Sequence, residues 1–131
     1  MKVKIEEKDR EVRVRRNRIY LGEEGIIYMT AVGEQDEKIA IDFRDAFIKI
    51  ANVVEGKIDL LIDANKAGQP SSKARKIIQE GVLKYEKTGK VAVFGASPPV
   101  RVIASFVMGV TRKKDMRFFK TKEEALAWLK E

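Results

Sequence analysis

The chain has 131 residues, a formal net charge of +7, and neither Cys nor His. A single domain spanning 1–131 is the expectation at this length, large enough to bury a core. Without Cys or His, disulfides, thiolate nucleophiles, Cys/His zinc sites and any imidazole acid or base are ruled out.

No stretch of 18 apolar residues exists to span a bilayer; the longest apolar run, Val102 to Val110, is interrupted by Ser105. The N-terminus, MKVKIEEKDR, lacks the apolar core of a signal peptide. A cytoplasmic location is therefore expected. Residues 1–20 carry +4 and residues 101–122 carry +6, whereas 21–100 carry −1. A basic face attracts nucleic acid or anionic lipid. Here a solvated surface is the preferred reading, because the basic residues of 101–122 are not interleaved with a stacking platform.

In chain order, Val12 and Val14 alternate with Arg13 and Arg15, the period of a half-buried strand. Arg18 to Leu21 and Gly25 to Val32 flank a hairpin turn at Gly22–Gly25, and Gly33-Glu34 leads into a polar turn. Ala40, Phe43, Phe47, Ile50, Ala51 and Val54 form one helical face, with Asp36 as N-cap and Gly56 as the closing left-handed residue. A buried strand, Ile58 to Ile62, ends at Asp63, and a loop containing Gly68 and Pro70 follows. The next helix is predicted from Ser71 to Lys87, closed by Gly89, before a second apolar strand at Val91 to Phe94.

The repeated joints Gly56-Lys57-Ile58 and Gly89-Lys90-Val91 imply parallel strands joined by helical crossovers. Ser97 and Pro98 suit the start of a third helix, with Val100, Ile103, Ala104, Val107 and Met108 facing inward. Met116 to Phe119 reads as the last strand. Thr121 to Glu124 then forms a capping box for a closing helix.

Several residues are candidates for chemistry. Ser71 and Ser72 fall at a helix start, where a hydroxyl meets free backbone N–H groups. The simplest role there is an N-cap, worth about 1 kcal/mol. Asp63 either binds a metal or polarises a ligand, or it caps the following loop, the last being preferred. Asp59, four residues earlier on the strand, is roughly 13 Å away and too far for an acid–base pair. Gly95 to Arg101 could cradle an anion through Ser97 and Arg101, although Pro98 and Pro99 remove two donors. No phosphate-binding glycine motif occurs. Phe43, Phe47, Phe94, Phe106 and Trp128 read as core rather than as a lipid pocket.

This order, β-rich at first and then alternating, resembles the STAS domain, the fold of anti-sigma-factor antagonists and of sulfate-transporter tails. The likeness covers Val12 to Leu129 and rests on Gly33-Glu34 before the first helix, Ile58 to Asp63 as the central strand, Ser71-Ser72 at the family's Asp-Ser-Ser motif, Ser97-Pro98-Pro99-Val100-Arg101 with Gly109, and the ending Phe118 to Leu129. The closing segment is similar to the SpoIIAA-like branch grouped with STAS and CRAL-TRIO domains. The resemblance implies an α/β fold, a four- to six-stranded mixed sheet with about four helices. It also implies a non-enzymatic regulatory module in which the first serine of the pair, Ser71, is phosphorylated by a partner kinase.

Lys73 and Arg75 would help to hold such a phosphate. Pro70 and Lys73 stand where the motif has Asp and Gly. The expected contact face joins Asp63, Ser71, Ser72, Lys73 and Arg75 to Ser97 and Arg101, because both segments follow adjacent parallel strands. No cofactor or metal is expected. The alternatives are a small-molecule or lipid binder, which needs a cavity of about 300 Å³ or more, and, less favoured, nucleic-acid binding through the basic N-terminal strand and residues 112–120. An edge strand near the N-terminus leaves room for a homodimer.

Overall fold

Alternating and continuous apolar segments assemble into one mixed sheet in the computed structural model, which describes residues 11–14, 16–22, 24–102 and 115–131. The strands are β1 (Glu11–Val14), β2 (Asn17–Leu21), β3 (Ile26–Gln35), β4 (Ile58–Pro70), β5 (Thr88–Phe94) and β6 (Met116–Phe119), lying side by side in sequence order. β1, β2 and β3 are antiparallel; β3 through β6 are parallel. Helix α1 (Glu37–Ala51) joins β3 to β4. Helix α2 (Ser72–Ile78), continued by a π-helical turn at Gln79–Leu83, joins β4 to β5. Helical residues 98–102, here α3, follow β5, and α4 (Lys122–Leu129) closes the chain. The expected mixed α/β architecture is present, at the six-stranded end of its range.

Side chains alternate across the strands, so the sheet has two apolar faces. On one, Phe43, Phe47 and Ile50 of α1 and Val82 and Leu83 of the π turn pack on Ile19, Ile27, Leu60 and Val91. Burying a side chain such as Phe47 contributes about 1.5–3 kcal/mol. On the other, Ala125 and Leu129 of α4 cover Ile26, Leu61, Ala92 and Phe94. Phe43, Phe47 and Phe94 are thus core residues, and Trp128 packs at the margin of the second cluster. Among the described residues no helix is long and apolar enough to cross a membrane.

The caps follow their residues. Asp36 Oδ1 accepts from Ile39 N at 2.8 Å. Thr121 Oγ1 accepts from Glu124 N at 3.2 Å, the first arm of a capping box, and donates to Glu124 Oε1 at 3.0 Å, so the carboxylate meets the cap's hydroxyl in place of its backbone N–H.

Three boundaries differ from the sequence expectation. First, α1 stops at Ala51 with Asn52 as C-cap. Gly56 is left-handed (φ 80°) but lies in the following loop. Lys87 Nζ donates to the carbonyls of Ala51 and Val54, so a cation satisfies the helix end in place of a glycine turn. Second, the helix after Ser71 widens at Gln79, with Lys84 N donating to Gln79 O at 3.1 Å, and ends before Tyr85.

Gly89 is therefore a strand residue. Opposite it the β4–β5 register shifts, from Ile58↔Thr88 to Leu60↔Val91. The amide of Lys90 is accepted by Asp59 Oδ1 at 2.8 Å, and a Cβ on Gly89 would lie 2.6 Å from that same oxygen. Third, β3 continues through Gly33 and Gln35, and β4 does not end at Asp63 but runs on to Pro70. The inward face assigned to Ile103, Ala104, Val107 and Met108, the core role of Phe106 and the family glycine at Gly109 lie outside the described residues.

Candidate functional site

Beyond Asp63, β4 has lost its neighbour β5, whose last pairing is Asp63↔Phe94, and is held by β3 alone. Its register slips twice: Thr30↔Asp63 is followed by Val32↔Lys66, and Gly33↔Ala67 by Gln35↔Pro70. Each slip inserts an extra β4 residue, a bulge that leaves backbone groups unpaired. Side chains fill the gaps. Asp63 Oδ1 accepts from Asn65 N at 3.0 Å and from Asn65 Nδ2 at 2.9 Å. Asn17, 1% exposed, accepts from Val32 N at 2.8 Å and Gln35 Nε2 at 3.1 Å, and donates to Val14 O at 3.0 Å. At Gly68 a Cβ would stand 2.9 Å from Gly33 O, so only glycine lets the two strands approach here. Asp63 thus holds a local bulge, close to the loop-capping role preferred for it; the segment it holds is strand.

Where β4 ends, Ser71 N donates to Gln35 O at 3.1 Å, fixing the turn into α2. Ser71 is the N-cap, its Oγ accepting from Ala74 N at 3.1 Å. Ser72 Oγ accepts from Arg75 Nη2 at 3.0 Å. Both serines and Lys73 are exposed. Lys73 Nζ lies 3.9 Å from Glu37 Oε2, across the start of α1, an exposed pair of little energetic weight.

Ser97 and Arg101 are also exposed, with Arg101 N donating to Ser97 O at 2.8 Å and the Arg101 guanidinium 5.5 Å from the Phe118 ring centre. The seven β4 residues between Asp63 and Ser71, roughly 20 Å of strand, separate the serines from the turn after β5. Asp63 and Asn65 instead adjoin that turn, Asn65 lying against Gly95. The two segments approach each other through a shared cavity wall: Arg75 from α2 and Val100 from α3 both line it.

That cavity, of about 180 Å³, lies between the sheet and α1, α2 and α3. Its walls include Met29, Phe43, Ile62, Ile78, Val93 and Met116, together with the small residues Ala31, Ala40, Ala64, Ala67, Gly68 and Ala74. The small residues are its physical cause, since cores close only when facing volumes fill the space. Gln35 and Arg75 also line it, but the surface they present there is hydrocarbon; Arg75 Nε is buried with no hydrogen-bond partner among the described residues. Neither the cavity nor Arg75's place in it was legible by motif. The signal available was a run of alanines and glycine in β4 where its first half carries Leu and Ile. The volume falls short of the roughly 300 Å³ expected for a lipid-sized pocket.

Elsewhere, the face of β2 and β3 opposite α1 carries Tyr20 stacked on Tyr28 at 4.9 Å, a cross-strand pair in direct register. Arg18 lies 4.1 Å over Tyr20 and Lys122 5.4 Å from the Tyr28 ring, so these rings are already engaged. Burial first, then Glu24, pushes the Tyr28 hydroxyl above the usual phenol range. The hydrogen bond from Arg18 holds the Glu11 carboxyl below its ordinary value, with the Arg18 and Arg13 charges adding to the effect. Among the described residues no three carboxylates gather as a metal-binding group. Residues 112–114 of the basic stretch lie outside the described residues.

Known proteins align with this architecture. An uncharacterised protein of the DUF3478 family with a SpoIIAA-like fold, from Shewanella loihica PV-4, superposes with a TM-score of 0.64 at 19% identity, over 91% of this chain and 89% of that one. The anti-sigma factor antagonist SpoIIAA in its unphosphorylated form superposes with a TM-score of 0.61 at 13% identity, over 87% of this chain and 97% of its own. No curated protein matches the sequence. The pattern of the SpoIIAA-like family matches residues 26–130, from the first residue of β3 to the C-cap of α4, and the chain belongs to that family.

Proposed function

We infer that the chain is a regulatory protein-interaction module of the anti-sigma-factor-antagonist type. Its contact face is the exposed start of α2 with Ser71, Ser72 and Lys73, and Ser71 is its phosphorylation switch. The observation that carries this reading is the placement of Ser71: an exposed N-cap hydroxyl at the end of a bulged, one-sided strand. It is supported by the family and by the superposition on an antagonist described in an unphosphorylated form.

A phosphate there adds roughly −1.5 to −2 charges. It would sit among the first backbone N–H groups of α2, with Lys73 and Arg75 one turn away. Lys73 would exchange the exposed Glu37 for the phosphate at little cost. The partner is a protein kinase or regulator that reads this face in one charge state.

The test is incubation of the intact chain with cellular kinases, followed by mass measurement and site mapping. One phosphate on Ser71 is expected, with partner capture altered by Ser71→Asp. No phosphate on either serine, together with unchanged capture by Ser71→Asp, overturns the switch.

A further inference from the structure

We propose that the cavity between the sheet and α1, α2 and α3 is a binding site for a small neutral molecule without polar groups, a single hydrocarbon ring or a short branched chain. This goes beyond the contact-face reading and stands whether or not Ser71 accepts a phosphate.

The cavity is a local feature of an otherwise closed layer. In that layer Phe47, Ile50, Leu60 and Val91 have no exposed surface, whereas beside Phe43, Ile62 and Val93 the packing leaves about 180 Å³. Native interiors hold few voids larger than a water molecule, whose share of the liquid is about 30 Å³. The groups lining such a space lack dispersion partners on one side. A molecule that fits supplies them.

Polarity decides the class of occupant. The described walls present apolar atoms throughout. Gln35 and Arg75 take part through their carbon stems, because their polar ends are committed elsewhere. Gln35 Nε2 donates to Asn17 Oδ1 at 3.1 Å and to Gly33 O at 2.9 Å. Arg75 Nη2 donates to the exposed Ser72 Oγ at 3.0 Å. A hydroxyl, amide or carboxylate placed in the cavity would lose its hydrogen bonds to water and gain none in return. Water itself needs two to four polar partners. Size then sets the limit. An apolar cavity of about 150 Å³ takes one benzene ring, so about 180 Å³ accommodates about six to nine heavy atoms. Fused rings and long acyl chains do not fit.

Methyl-detected NMR on the full chain tests this with toluene and phenol, rings of equal size that differ in a methyl against a hydroxyl. Toluene is expected to bind with a Kd of about 1 mM or tighter, and phenol at least about tenfold more weakly. The toluene shifts should gather on the methyls of Met29, Ile62, Val93 and Met116 and spare those of Leu61, Ala92, Ala125 and Leu129 across the sheet. Ala64→Leu, which fills the cavity, should abolish them in a chain whose fold is checked by circular dichroism. The proposal is overturned by no saturable shift from toluene at about 5 mM, by phenol binding as tightly as toluene, or by shifts centred outside the cavity. Toluene binding that survives in folded Ala64→Leu also overturns it. Should that variant fail to fold, the shift map and the toluene–phenol margin on the unmodified chain decide alone.

Discussion

β4 is two strands in one. From Ile58 to Asp63 it is paired on both sides, and Ile58, Leu60 and Leu61 are at most 2% exposed. From Ala64 to Pro70 it pairs only with β3, slips register twice, and borders the cavity. The first half supplies stability. The second half, relieved of that duty, can carry small residues, a void and an exposed serine. A single strand thereby separates the load on the core from the surface available for recognition.

The contrast is broken most severely in the first half. Leu60→Ala should cost about 2–5 kcal/mol, because Leu60 has no exposed surface into which the site could relax. Urea unfolding, read as a lower midpoint at an unchanged slope, measures it. If the second half were equally rigid and filled, alanines there would behave like core residues. Instead its most sensitive position should be Gly68. Gly68→Ala places a Cβ 2.9 Å from Gly33 O and should cost about 1–3 kcal/mol by forcing β3 and β4 apart, measured the same way.

A finer cut separates the two serines. Ser71→Ala removes the cap bond to Ala74 N and should cost about 1 kcal/mol. Ser72→Ala loses only an exposed bond to Arg75 and should stay within about 0.5 kcal/mol. Parallel thermal melts compare them; equal losses would deny Ser71 its special place. Asp63→Ala falls between the two. It frees the exposed amide of Asn65 and should cost about 0.5–1 kcal/mol. Hydrogen exchange should show faster opening of residues 64–70 and little change at 58–62.

The sequence made the first half of β4 plain, because Ile58 to Ile62 is a continuous apolar run between two helical patterns. The second half reads as loop for sound local reasons: Asn65, Gly68 and Pro70 are turn formers. Their tolerance in a strand comes from the tertiary surroundings. With β5 absent beyond Asp63, one edge of the strand has no ladder to complete, and proline is admissible in such one-sided positions.

The same limit hid Lys87, whose ammonium closes α1 from 36 residues beyond Ala51, a partnership no local pattern contains. The candidate site was half legible. The serines announced themselves as a helix cap. Asn17, Gln35 and the cavity role of Arg75 depend on which residues face one another across the bulges, and single-chain periodicity carries no record of that.

Asp59, once considered as half of an acid pair, has another consequence. Ile58-Leu60-Ile62 and Val91-Val93 are nearly interchangeable in hydrophobicity, so sliding β5 by two residues would keep every apolar side chain on its proper side. Parallel neighbours have no hairpin to forbid that error. The carboxylate of Asp59, seated against Gly89 and bonded to the amide of Lys90, accepts only one alignment. A misplaced β5 would set a side chain against it and leave the acceptor unused. During the search for the native pairing, this one contact discriminates between alignments that greasy surface alone would treat as equal.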